Sequence, residues 1–74
     1  MNTIAIIGCG RIAYNVHFPA LSNIENIKIK YACDVIEKKA QAMKDKYPTL
    51  VENVITDYKV ALNDPEVDMV YVFN

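Results

Sequence analysis

With 74 residues, eight Lys and Arg against nine Asp and Glu, and a formal net charge of −1, the chain has material for one small domain at most. Its make-up, 53% hydrophobic and 23% charged, is that of a soluble protein. The lysines are scattered, which argues against a stripe for nucleic acid or an anionic membrane. The apolar start is too short for a transmembrane helix and has no basic leader before it, so neither a span nor a signal peptide is expected and the expected location is cytoplasmic.

In chain order, residues 3–7 form a continuous apolar run, the pattern of a strand covered on both faces. Residues 11–23 can be helical, with Ile12, Val16 and Ala20 on one stripe and Pro19 breaking or restarting the helix. Ile27, Ile29, Tyr31 and Cys33 alternate with Lys28 and Lys30, a second strand that starts half exposed and ends buried. Residues 35–47 are the clearest helix: Ile36, Ala40, Met43 and Tyr47 recur at helical spacing, and Pro48 stops it. Val54-Ile55-Thr56 is a short third strand. Asp57 caps a brief helix carrying Tyr58, Ala61 and Leu62, Asp64-Pro65 turns the chain, and residues 67–73 form a fourth strand.

This β-α-β-α-β-α-β order implies an α/β fold with a parallel sheet and right-handed crossovers. It is the first part of a doubly wound (Rossmann) domain, with strand order 3-2-1-4. A complete domain of that type needs about twice this length. The crevice where the strand order reverses lies between strands one and four, at their carboxyl ends, where Gly8 to Ala13, Asp34 and Phe73-Asn74 all fall.

Those residues carry a recognisable chemistry. Gly8-Cys9-Gly10-Arg11-Ile12-Ala13 reads G-x-G-x-x-A between a strand and a helix, and Asp34 ends the next strand roughly 20 residues on. Gly8 allows the tight turn, Gly10 lets backbone approach a pyrophosphate, and Ala13 lets the helix pack closely on the strand. Free N–H groups at the helix start would hold phosphate charge. Asp34 can accept from a ribose, and it also opens the capping box Asp34-Val35-Ile36-Glu37. At Arg11 the backbone N–H is expected to matter more than the side chain. Lys38 and Lys39 could meet a 2′-phosphate, although a surface helix carries such charges anyway. His17, Tyr14 and Tyr58 read as packing or hydrogen-bonding residues. Cys9 and Cys33 read as small buried hydrophobes rather than a disulfide or metal pair, and no metal-ligand spacing or catalytic constellation is evident.

The run Ile6 to Ala13, with His17 and Pro19-Ala20-Leu21, resembles the start of the glucose–fructose oxidoreductase/inositol dehydrogenase/MocA family. So do Ala32-Cys33-Asp34, Thr56-Asp57-Tyr58, Leu62 and Asp64-Pro65-Glu66-Val67-Asp68 further on. The resemblance implies an NAD(P)-dependent oxidoreductase acting on sugars, inositols or their derivatives, with residues 1–74 as the amino-terminal part of the cofactor domain. It implies cofactor contacts at Gly8, Gly10, Arg11, Ile12, Ala13, Asp34, Phe73 and Asn74. Asp34, an acid that accepts from both ribose hydroxyls but repels a 2′-phosphate, leads to the expectation of NAD in preference to NADP, and a homo-oligomeric full-length protein is expected. The family's catalytic lysine, in a Glu-Lys-Pro motif after the next strand, and its substrate domain have no counterpart here, so the chain alone is expected to be inactive. Two other readings stay open at this point, a non-catalytic nucleotide-binding or assembly fragment and another Rossmann-like enzyme such as a methyltransferase.

Overall fold

Four parallel strands alternate with helical segments in a computed structural model that describes residues 2–11 and 13–73. The strands are β1 (Asn2–Ile7), β2 (Ile27–Cys33), β3 (Val51–Ile55) and β4 (Met69–Val72). A π-helical segment, Ala13–His17, runs into α1 (Phe18–Leu21); α2 is Glu37–Lys46 and α3 is Lys59–Leu62. The sheet order is β3-β2-β1-β4 and every pairing is parallel, so the expected 3-2-1-4 arrangement stands. Because β1 sits between β2 and β4, its carboxyl end faces the switch of direction that opens a crevice.

The main core joins Ile4, Ile6, Ile29 and Val51 of the sheet to Ala13, Phe18, Leu21, Ala40 and Met43 of the helices. Phe18 packs on Tyr47 with ring centroids 5.9 Å apart, so α1 and the end of α2 are neighbours. The third crossover runs back along the sheet, and its right-handedness places α3 on the opposite face. There only Ala61 of α3 is buried.

The first helix departs from the expected phase. Ala13, Phe18 and Leu21 are buried, whereas Val16 is 56% exposed and Ala20 lies at the surface; Ile12 lies outside the described residues. A π turn spans five residues instead of four, so Ala13 and Phe18 share the buried line. A period of 3.6 carried through such a turn slips by one residue. Pro19 does not break the helix: it sits in the first turn of α1, and His17 just before α1 keeps right-handed helical backbone, so the π segment runs straight on into α1.

The remaining differences are local. Ile36 is half exposed at the N-cap of α2 rather than on the buried stripe, because its N–H bonds to the Asp34 carboxylate and its backbone is extended. The capping box does not close: the Asp34 N–H donates to the Ile55 carbonyl, not to Glu37. The third strand starts at Val51, which is fully buried opposite Ile29, three residues before the apolar signal of Val54-Ile55. Asp57 accepts the Lys59 N–H, yet Tyr58 and Leu62 are exposed. The fourth strand is shorter than expected at both ends. Single bonds from Asp68 N–H to the Thr3 carbonyl and Phe73 N–H to the Ile7 carbonyl extend the ladder beyond it.

Between Ile4 and Ala5 the β1–β2 register slips, leaving Lys30 without an opposite residue in β1. Such a bulge puts two successive side chains on one side of a strand. Lys30 and Tyr31 accordingly reach the same carboxylate, Asp64, at 2.6 and 2.7 Å. Lys30 also pairs with Glu66. This network ties β2 to the turn before β4.

Candidate functional site

The glycine turn is built from two residues that are glycine for different reasons. Gly8 has φ +94°, a conformation that L side chains rarely adopt. A Cβ there would also overlap the Phe73 carbonyl oxygen and lie 2.8 Å from the carbonyl carbon. Gly8 therefore serves both the turn and the close approach of the chain leaving β4. Gly10 has neither constraint. Its φ is not positive, and among the described residues a Cβ built on it would meet nothing within 4 Å. The space beside it is open.

Asp34 is wired directly to that turn. One carboxylate oxygen accepts the Cys9 N–H at 2.8 Å, and the other accepts the Ile36 N–H at 2.8 Å. An ionised carboxylate has about four acceptor positions, so two remain for hydroxyl donors. The Gly8 N–H donates to the Cys33 carbonyl at 2.8 Å, which holds the ends of β1 and β2 together beneath the acid. Cys9 and Cys33 are free, buried thiols, as expected. Burial, then the charge of Asp34, pushes the Cys9 thiol up to about 12, and the same two causes raise Cys33. Both stay protonated and apolar beneath the site.

Above the strand ends lies a cleft of about 300 Å³ lined by Gly8, Gly10, Asp34, Val35, Tyr58 and Phe73, among others. It thus brings together four of the residues singled out from sequence, Gly8, Gly10, Asp34 and Phe73. Ala13 is buried just below, closing the first helix onto β1. Arg11 is exposed and borders a neighbouring cleft of about 210 Å³ with Gly10, Tyr14 and Lys39. Ile12 and Asn74 lie outside the described residues. Lys39 borders both clefts, whereas Lys38 borders neither.

Sequence reasoning missed Val35 and misread Tyr58. Val35 is 87% exposed and Tyr58 48% exposed, both on the rim of the cleft. A signal existed for Val35: it follows the acid directly and belongs to no apolar period. Tyr58 was masked by its position in a short helix pattern. His17 is a packing residue, stacked on Phe73 with ring centroids 4.0 Å apart and planes within 3°.

Residues 2–74 match the model of the Gfo/Idh/MocA oxidoreductase family, NAD-binding Rossmann fold. The chain belongs to that family. It is 31% identical over 67 residues to YrbE, an uncharacterized oxidoreductase of Bacillus subtilis, covering 90% of this chain and 19% of that protein. Solved structures share the fold. A dehydrogenase from Chromobacterium violaceum superposes with TM-score 0.83 at 20% identity, over 99% of this chain and 21% of that one. Scyllo-inositol dehydrogenase from Lactobacillus casei, with bound NAD(H) and scyllo-inositol, gives 0.82 at 23% identity, over 100% and 21%. A 3-ketoreductase from Actinomadura kijaniata in complex with TDP-benzene and NADP gives 0.78 at 22% identity, over 96% and 22%. The chain therefore spans about one-fifth of the length of these relatives. Family membership decides against the methyltransferase reading. No helix among the described residues is long and apolar enough to cross a membrane.

Proposed function

We propose that the chain is the amino-terminal part of an NAD(P)-dependent oxidoreductase's cofactor domain, with the dinucleotide held along the crevice between β1, β2 and β4. The open space beside Gly10 carries this reading. Gly8 is explained by its own fold, but neither backbone conformation nor packing among the described residues explains Gly10. A ligand backbone of phosphates passing over its α-carbon does. The residues present fit the group. Gly8 and Gly10 form the turn beneath the pyrophosphate, with the backbone N–H groups of Gly10 and Arg11 as its donors and Ala13 setting the helix close. Asp34 uses its free acceptor positions for the adenosine ribose. Val35 and Tyr58 offer exposed apolar surface for the adenine, and Phe73 borders the far end. At about 300 Å³ the cleft is the size of a nucleoside-binding portion rather than a whole dinucleotide site.

The cofactor supplies hydride transfer when bound; this chain's residues bind and orient it. Proton transfer and substrate recognition belong to a longer protein, as the one-fifth coverage of the relatives suggests. A sugar, inositol or related hydroxyl compound is the substrate class proposed, following the inositol dehydrogenase and ketoreductase neighbours. The complete protein would be a homo-oligomer working in the cytoplasm, and the 74 residues alone would bind nucleotide without turning over substrate.

NAD is the cofactor favoured over NADP. A carboxylate held at the ribose repels a 2′-phosphate, and Lys39 at the rim is a single exposed cation against it. Titration with NADH and NADPH, read by nicotinamide fluorescence, tests this. Tighter binding of NADPH would remove Asp34 from the ribose.

A further inference from the structure

The geometry points to His17 as a positioning residue for this cleft, acting through a flat stack on Phe73 rather than through its ring nitrogens. The inference rests on the nucleotide-binding reading and adds a residue behind the site. Phe73 directly follows β4 and is the last described residue, and it is fixed from several sides. Its N–H donates to the Ile7 carbonyl at 2.7 Å. Its carbonyl lies over Gly8, where a Cβ would overlap it. Tyr71 meets its ring edge-on at 6.0 Å, and His17 covers a ring face at 4.0 Å and 3°.

The π turn explains why His17 is available for this. In a regular α-helix the residue four after Ala13 would lie beneath it in the core. Here Phe18 takes that buried place, and His17 is left half buried at the flank, against Phe73. The rings are parallel and in stacking contact, so the hold comes from flat ring area, which imidazole supplies as a phenyl ring also would. His17 touches Phe73 but is not among the residues lining the cleft, whereas Phe73 is. Its effect on a ligand therefore passes through Phe73. The stack latches the exit of β4 against the glycine turn, and so sets the wall that a dinucleotide would run along.

The test compares His17→Phe, which keeps a flat ring without nitrogens, with His17→Asn, which keeps hydrogen-bonding atoms without the ring. Two readouts are taken on the full chain: NADH dissociation constants, and hydrogen exchange at the Phe73 amide without nucleotide. His17→Asn is expected to weaken NADH about tenfold and to speed Phe73 exchange, with His17→Phe within about threefold of the wild type on both. In the Phe73→Leu background, His17→Asn is expected to have no further effect on binding. Asn matching the wild type, or Phe losing as much as Asn, overturns the latch. If the wild type binds no dinucleotide, the nucleotide reading fails, while amide exchange still decides whether His17 secures Phe73.

Discussion

The two glycines offer a separation of fold from function within three residues of one turn. Gly8→Ala places a methyl group at φ +94°, costing about 1–3 kcal/mol in backbone strain. It also drives that methyl into the Phe73 carbonyl. The methyl is fixed by its own backbone and meets backbone, so no rotamer change relieves the overlap, and displacing β4's exit adds about 1–3 kcal/mol by analogy with overpacked cores. The sum, about 2–6 kcal/mol, is a large part of what a domain of this size has, at roughly 0.05–0.15 kcal/mol per residue. Gly10→Val meets open space and a permitted φ, so its effect on stability is expected within about 1 kcal/mol. Its branched side chain fills the volume proposed for the pyrophosphate, and NADH affinity is expected to fall at least about 100-fold, or about 2.7 kcal/mol. Urea unfolding by circular dichroism and NADH titration, run on both variants, read the two effects separately. A Gly10→Val variant that binds like the wild type would show that this glycine does not face the ligand. A Gly8→Ala variant as stable as the wild type would refute the close approach of Phe73.

Three further outcomes follow from the same geometry. Asp34→Ala should weaken NADH and narrow the gap to NADPH, by removing ribose acceptors and the charge that repels a 2′-phosphate; an unchanged ratio would deny Asp34 that role. Lys30, then Tyr31 and the Glu66 N–H, hold the Asp64 carboxyl down to about 2 from an ordinary 3.8. The folded state then binds fewer protons than the unfolded one between these values, so this contribution is complete above about pH 4 and is lost as pH falls toward 2. Asp64→Asn should flatten that part of the acid stability profile, and an unaltered slope would mean that the bulged pair does not stabilise the ionised carboxylate. Among the described residues β4 pairs only with β1, and its Val72 is 66% exposed on an edge without charge or proline, so the 74-residue chain should self-associate. Sedimentation should show the association reduced by Val72→Lys, and a wild-type monomer across concentrations would refute it.

What could be read from the residues depended on whether a signal was local or carried through an irregularity. Strand order and parallelism followed from element order, because crossover handedness leaves few alternatives. The acid's link to the turn was half legible. Asp34 was placed by spacing, but its bond to the Cys9 N–H requires knowing that β1 and β2 end side by side. The first helix failed in phase because one π turn shifts every residue after it, and nothing in Ala13-Tyr14-Asn15-Val16-His17 marks that turn by composition. The shift matters to the site itself. It moves Phe18 into the core and leaves His17 beside Phe73, whose carbonyl in turn makes Gly8 indispensable. The glycine motif therefore reads the far strand as much as the ligand. Gly8 answers to the chain leaving β4, and Gly10 alone is free to answer to a nucleotide.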